Sequence, residues 1–461
     1  MQSRRDLFQA HRLMTQRAAL ALLRGEPDIP DQPLRRLNIA AFSGVLVAVI
    51  VAALFGIWGL LGHGGSQLHQ QPGTLVIDRQ TGTSYVFCQG SKLCPVLNYA
   101  SARLALQSTS VDQQTVSQAS LAKFARGPLI GIPGLPQPLP DPGLLFRQPW
   151  SVCMQTVIGP SGPRAITTLA GGIGTGGKSL GGSALLTQSL GQDWVIWDGQ
   201  RMPIQSGMLQ TLFSSRQPIA VPPVWLDALP EGPAFAPPAI AGQGDTLVGP
   251  GGSTVFVGQV YEVNAVGGSP PQYYVMLQSG LARISETQAA LLDFEPSAPK
   301  PSMLSPSQLT GHLSAVTVPD GGLPSSVPAV AGTSSAAPVC VVYATRGTGS
   351  TLARQVVFGG QVPSGGTPTG VATDVDRIAL PPGAGALVGA APGTGQAAGA
   401  ISYFLVSGGR RYALASQSVA AMLGYDLSTQ AVLLPAGVLD LIPSGPALDP
   451  AEAARPAPPG G

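Results

Sequence analysis

Residues 172–179 read GIGTGGKS, the spacing GxxxxGK[ST] in which backbone N–H groups cradle phosphates and a lysine reaches the terminal ones. Gly172, Gly177, Lys178 and Ser179 are therefore the candidate nucleotide-binding residues. The same stretch meets GxSxG from Gly177 to Gly181, the pattern of a hydrolase nucleophile elbow. A phosphate loop must open directly into a helix whose N-terminus holds the anion. Here Ser179 runs into Leu180, Gly181 and Gly182 and then a β-like SALLT. A serine nucleophile needs a general base, yet His11 precedes the long apolar segment, His63 and His69 adjoin it, and His312 lies in a Pro/Ser-rich stretch. One short run that meets two unrelated motifs reflects glycine abundance, 60 of 461 residues. It is read as a chance match, and no catalytic residue, cofactor or metal is assigned.

The cysteines offer structural disulfides instead. All four follow the apolar segment, and four allow three pairings. Cys153–Cys340 and Cys88–Cys94 are favoured. The first two occupy equivalent strands, WSVC and APVC, and their bond closes a loop worth about 4–5 kcal/mol on chain-entropy grounds. Cys88 and Cys94 flank QGSKL in a hairpin, where facing residues approach the required separation. Zinc would require CxxC-like spacing or nearby histidines, and the sequence has neither.

Position along the chain decides which compartment these residues see. Residues 39–61 (IAAFSGVLVAVIVAALFGIWGLL) carry no charge and make a helix of about 34 Å, enough for one membrane span. Arg35 and Arg36 abut its start, while residues 62–78 hold no lysine or arginine, so the positive-inside rule puts the N-terminus in the cytoplasm. A signal peptide would have a shorter apolar core and a small-residue cleavage site. Residues 4–24 lack Gly and Pro and place Leu7, Ala10, Met14, Ala18 and Ala21 at helical spacing, an amphipathic helix for anionic lipid or a partner helix. Residues 1–38 hold seven arginines against four acids, and the remainder has 18 basic and 19 acidic residues. With no basic stripe to neutralise phosphates, nucleic-acid binding is not expected. Charged residues make up only 10%, against roughly 25% in ordinary soluble domains, and with 45 prolines the composition implies folded pieces joined by Pro/Gly-rich connections.

The outer region reads as a duplication. Segments beginning at Tyr85, Trp194, Tyr274 and Tyr403 each show an aromatic-led β run, a glycine turn, a second β run and a helical stretch. Cys153 stands between the first two and Cys340 between the last two, with Pro-rich runs at matching places. A hairpin plus a helix buries too little surface alone, so the cysteine strands are expected to form a shared sheet about an approximate two-fold axis. The four aromatics could stack on sugar rings, although core filling fits β spacing better. The expected division is 1–38 cytoplasmic helix and linker, 39–61 transmembrane helix, 62–125 first repeat, 126–190 first central half, 191–250 second repeat, 251–315 third repeat, 316–398 second central half, 399–442 fourth repeat and 443–461 disordered tail. Residues 235–250, 295–306 and 378–399 read as linkers.

Several pieces together carry a family resemblance: the Arg-rich start, the single span, GTLVIDRQTG (73–82), PVLNYASARLAL (95–106), GIPGLP (131–136), WSVC (150–153) and WLDALPEGP (225–233). From about residue 2 to residue 445 the chain resembles EccB, the single-span core membrane component of actinobacterial type VII (ESX) secretion systems. The resemblance implies an α+β fold: one transmembrane helix and an elongated extracytoplasmic domain with a central β region, four peripheral repeats and a disulfide at Cys153 and Cys340. It further implies homo-oligomeric contacts and four partners: an FtsK/SpoIIIE-type ATPase, a polytopic membrane subunit, a small membrane subunit and a membrane-anchored subtilisin-like protease. The family's repeats are similar to cell-wall-binding modules of a phage lysin, and members have been described as ATPases. Cys88 and Cys94 depart from the family pattern. The expectation is a non-catalytic scaffold that oligomerises outside the cytoplasmic membrane, with a cell-wall anchor and an ATP-hydrolysing component as alternatives.

Overall fold

A computed structural model describes residues 4–24, 33–62, 71, 73–160, 162–214, 216–264, 270–294, 299–332, 337–345, 352–370, 375–391 and 401–458. His63 and His69 lie outside these residues, as do 295–298 and 392–399 of two of the expected linkers. The N-terminal body contains two helices, Arg4–Arg24 and Pro33–Gly62. Within the second, Leu37–Trp58 is long and apolar enough to cross a membrane. Its one hydroxyl in the apolar run, Ser43, donates to the Ile39 carbonyl one turn back at 2.7 Å, so it needs no partner from outside the helix.

The rest of the chain builds five principal sheets. Four are small and share one strand order, third–second–first–fourth. The first comprises Thr74–Asp78, Ser84–Cys88, Lys92–Pro95 and Asp112–Val116; the second, Leu185–Ser189, Gln192–Trp197, Gln200–Ile204 and Ile219–Ala220. The third holds Val260–Val263, Gln272–Leu277, Gly280–Ile284 and Ser302–Leu304; the fourth, Gly385–Ala391, Tyr403–Ser407, Arg410–Ala413 and Ala431–Pro435. A helix follows each third strand: Tyr99–Leu106, Ser206–Leu212, Glu286–Asp293 and Gln417–Met422. That crossover lets the fourth strand run parallel to the first, as the register of the second, third and fourth sheets shows. Asn98 caps the first of these helices by accepting from the Ser101 N–H, and Ser285 and Gln288 form a capping box on the third.

In each small sheet the third strand would leave an open edge, which invites unwanted pairing. A returning segment closes it in all four. Leu93 bridges Arg126, Arg201 bridges Glu231, Leu281 bridges Leu313, and Arg411 bridges Ser444, each in parallel sense. These straps correct the expected boundaries. Residues 443–458 are not a disordered tail: Gly445 N–H donates to Arg411 O at 2.8 Å, Leu448 N–H to Ala413 O at 2.7 Å, and Ala457 N–H continues to Leu129 O in the strap of the first sheet at 2.8 Å. The described parts of the expected linkers are also structured. Phe235 is buried against Phe213, Thr246–Val248 pairs with Thr254–Phe256, Ser302–Leu304 completes the third sheet, and Gly385–Ala391 opens the fourth. Leu185–Ser189 and Gly385–Ala391, expected in the central halves, belong to the small sheets.

The fifth sheet has seven strands, ordered Thr367–Pro368, Arg377–Ala379, Gly162–Gly171, Trp150–Gly159, Val339–Thr345, Leu352–Phe358 and Lys178–Ser179. Its inner strands are apolar on both faces near the middle, the signature of a sheet covered from two sides. One continuous core joins it to the straps of the second and fourth sheets through Trp225, Leu229, Val438 and Ile442. Two further clusters pair the first sheet with the fourth and the second with the third. Leu448 is 0% exposed in the first of these. Leu448→Ala should therefore cost about 2–5 kcal/mol in a urea titration of the full chain in detergent, whereas a loss within error would return this segment to the status of a tail.

Candidate functional site

The joint between the two halves of the sheet-rich region is the pairing of Trp150–Gly159 with Val339–Thr345. Five antiparallel pairs run from Tyr343 opposite Trp150 to Val339 opposite Met154, with Cys340 directly opposite Cys153. The two cysteines are disulfide-bonded across the strands, with Cα atoms 4.0 Å apart and both residues buried. Beside them Tyr343 is buried, and its hydroxyl donates to the Ala228 carbonyl of the second sheet's strap. Burial pushes the Tyr343 phenol above its ordinary range, so it stays a neutral donor.

Around this joint the halves trade strands. Lys178–Ser179 comes from the first half and pairs with Leu352–Phe358 of the second. Arg377–Ala379 comes from the second and lies parallel to Gly162–Gly171 of the first. Asp376, just before that strand, accepts from the Thr167 N–H at 2.8 Å, the Thr167 hydroxyl at 2.7 Å and Arg164 Nη2 at 2.5 Å. Partial burial pushes the Asp376 carboxyl up, but the two Thr167 bonds and the Arg164 guanidinium outweigh it and hold the group below the usual carboxylate range. The connections cross in the same way. Phe146, downstream of the first sheet, donates its N–H to Gly385 O at the start of the fourth; Ala184, at the start of the second, donates to Ala329 O downstream of the third.

This geometry has relatives. A family model described as type VII secretion system ESX-1, transport TM domain B, matches residues 2–457. The chain belongs to the EccB family. The ESX-3 secretion system ATPase EccB3 of Mycolicibacterium smegmatis is 32% identical over 90% of this chain and 83% of its own length. A solved structure described as the EccB3 dimer from the ESX-3 core complex is 27% identical, covers 82% of this chain and 99% of that one, and superposes with a TM-score of 0.66. An intact ESX-5 inner membrane complex contains a chain of the same fold, 24% identical, with a TM-score of 0.65 over 99% of this chain and 96% of that one.

Some relatives in the EccB family bear the word ATPase, so the run 172–179 matters. Lys178 and Ser179 form a two-residue edge strand; both are exposed, and no helix begins there. The next residues turn at Gly181 and enter Leu185–Ser189. The glycines answer to packing. A Cβ on Gly172 would fall 2.8 Å from the Phe146 ring, and one on Gly177 3.0 Å from Phe358 O and Gly360 N. Ser179 Oγ accepts from the Gly181 N–H, a local turn. His312 contributes its carbonyl to Leu281 N–H on the third sheet's strap, and among the described residues no cluster of metal-ligating side chains occurs.

The aromatics fall on corresponding strands with one shift. Counting back from the turn pairs Trp197–Gln200 and Ser407–Arg410, the position of Trp194 in the fourth sheet is Phe404, not Tyr403. Tyr274 is buried and the others are half-buried. Arginines cover three of the rings: Arg126 lies 4.7 Å from the Tyr85 centroid, Arg201 5.4 Å from Trp194 and Arg411 5.5 Å from Phe404. Arg201 and Arg411 are also paired with Asp227 at 2.6 Å and Asp440 at 2.8 Å, in straps of one pattern, LDALPEGP (226–233) and LDLIPSGP (439–446). That repeat, unused in the sequence reading, was the signal for the straps. Cys88 and Cys94 are bonded, but diagonally: Val86 faces Cys94 and Cys88 faces Lys92.

Two outcomes follow. Because the Asp376 carboxyl is held low, its contribution is complete well above the ordinary aspartate value of about 3.9 and fades as pH falls from there through its folded value. Thermal unfolding of Asp376→Asn between pH 7 and pH 2 should thus lie below wild type at neutral pH and converge with it in acid; a constant offset contradicts the clasp. Calorimetry with Mg-ATP should give the same isotherm for wild type and Lys178→Ala, and a saturable signal lost in the variant would restore the phosphate loop.

Proposed function

We propose that the chain is a non-catalytic scaffold subunit of a type VII secretion membrane complex, anchored by the helix around Leu37–Trp58 with its N-terminus in the cytoplasm and its sheet-rich region outside. The observation that carries this reading is the exchange of strands and connections between the two halves of the outer region. It commits the molecule to one interlocked body, which suits a part that holds other proteins in place rather than one that must open and close around a substrate. The similarity to chains from an ESX-3 core complex and an ESX-5 inner membrane complex supports the same setting. The paired features of the first and third sheets (Leu93, Leu281) and of the second and fourth (Arg201, Arg411) fit two related halves about an axis at Cys153–Cys340.

In this reading the expected neighbours are copies of the chain itself, an FtsK/SpoIIIE-type ATPase, a polytopic membrane subunit, a small membrane subunit and a subtilisin-like protease. The arginine-covered ring faces of Tyr85 and Trp194 argue against sugar stacking at those two positions. The test is a C-terminal tag, mild detergent extraction, native gel and mass spectrometry. A high-mass species with an FtsK-type ATPase and a polytopic protein is expected. A lone chain that sediments with wall fragments would replace the scaffold with an anchor.

A further inference from the structure

The two disulfides sit in opposite environments. Cys153 and Cys340 are 0% and 1% exposed on the two central strands of the seven-stranded sheet, where a reductant cannot reach either sulfur. Cys94 is as deeply buried, among Leu75, Val86, Val96, Ala102 and Ile130, but Cys88 is half-buried at the end of its hairpin beside the exposed turn at Gln89–Ser91. The strap that closes the first sheet crosses directly over this second bond. A Cβ on Gly127 would lie 2.2 Å from Cys94 Sγ and 2.9 Å from Cys88 Sγ, so the strap backbone rests on the cystine itself. Around that contact the strap is held by Leu93 N–H to Ala125 O at 2.8 Å, Gly127 N–H to Leu93 O at 3.0 Å and Ile130 N–H to Pro95 O at 2.9 Å.

We propose that Cys88–Cys94 is a redox-sensitive latch that locks the strap 125–130 onto the third strand of the first sheet. Two bonded sulfurs occupy less room than two thiols, which stand roughly 3.5–4 Å apart at van der Waals contact. On reduction one sulfur must move while Cys94 is walled in by its apolar neighbours, so the seat of Gly127 is lost together with the cross-link that fixes the hairpin beneath it. The edge Lys92–Pro95 then opens to pairing. The reductant is a dithiol, such as a thioredoxin-type protein. Its thiolate attacks Cys88 Sγ, the accessible sulfur; the bond to Cys94 breaks, and Cys94 leaves as a thiolate that takes up a proton. The second thiol of the reductant then displaces Cys88, so two electrons pass to the chain and the reductant becomes the disulfide.

The test uses the full chain in detergent with dithiothreitol as probe. Graded reduction, iodoacetamide trapping and peptide mass mapping should label Cys88 and Cys94 at concentrations that leave Cys153 and Cys340 unlabelled. Hydrogen exchange on that species should rise at least tenfold at Leu93, Gly127 and Ile130 and stay unchanged in Trp150–Gly159. Cys88→Ser/Cys94→Ser should reproduce the pattern without reductant, and the wild-type reduction keeps the test valid if that variant does not fold. Co-reduction of both disulfides, or unchanged exchange at the strap after selective reduction, would overturn the latch.

Discussion

Five residue pairs between Trp150–Gly159 and Val339–Thr345 hold the sheet-rich region together. Without that register the seven-stranded sheet has no middle, the exchanged edge strands have nothing to pair with, and the straps of the second and fourth sheets lose the apolar floor formed by Trp150, Val341 and Tyr343. Parallel and long-range pairing is entropically slow to form because loop closure precedes any gain. A disulfide in the same ladder, 187 residues apart in sequence, offsets that cost by fixing the register once it is found.

A register of this kind also explains why the peripheral sheets can be small. Each has four short strands and only short helices, too little to stand alone in water. Each closes its open edge with a strap and then shares an apolar cluster with a sheet from the other half, first with fourth and second with third. Arg201 and Arg411 show how the straps are seated: each covers an aromatic ring of the second strand and binds an aspartate of the strap helix, so one side chain ties three segments.

How much of this could be read in the sequence follows from the range of the interactions. The long apolar helix, the four hairpins each followed by a helix and the cysteine strands all rest on local periodicity or matching spacing, and the structure has a helix, hairpins and a paired ladder at those places. The Tyr403 assignment slipped by one because Tyr403 and Phe404 are adjacent aromatics and only the cross-strand register separates them. The straps were invisible to periodicity. Their residues are rich in proline and glycine, make few pairs each, and find their partners across a helix and a strand, so 443–461 read as a tail and 235–250 as a linker. The glycines of 172–179 mimic a phosphate loop because close backbone approach to Gly360 and the Phe146 ring demands the same residue type.

The central claim is that the two halves form one cooperative body. Hydrogen exchange followed by mass spectrometry across a urea series on the full chain tests it directly, with peptides from 150–171, 185–204, 339–358 and 403–413 read in parallel. All four are expected to lose protection at one midpoint, because no half retains its sheet without the other. Two separated midpoints, one for 150–204 and another for 339–413, would contradict it and leave the halves as independent domains joined by a disulfide.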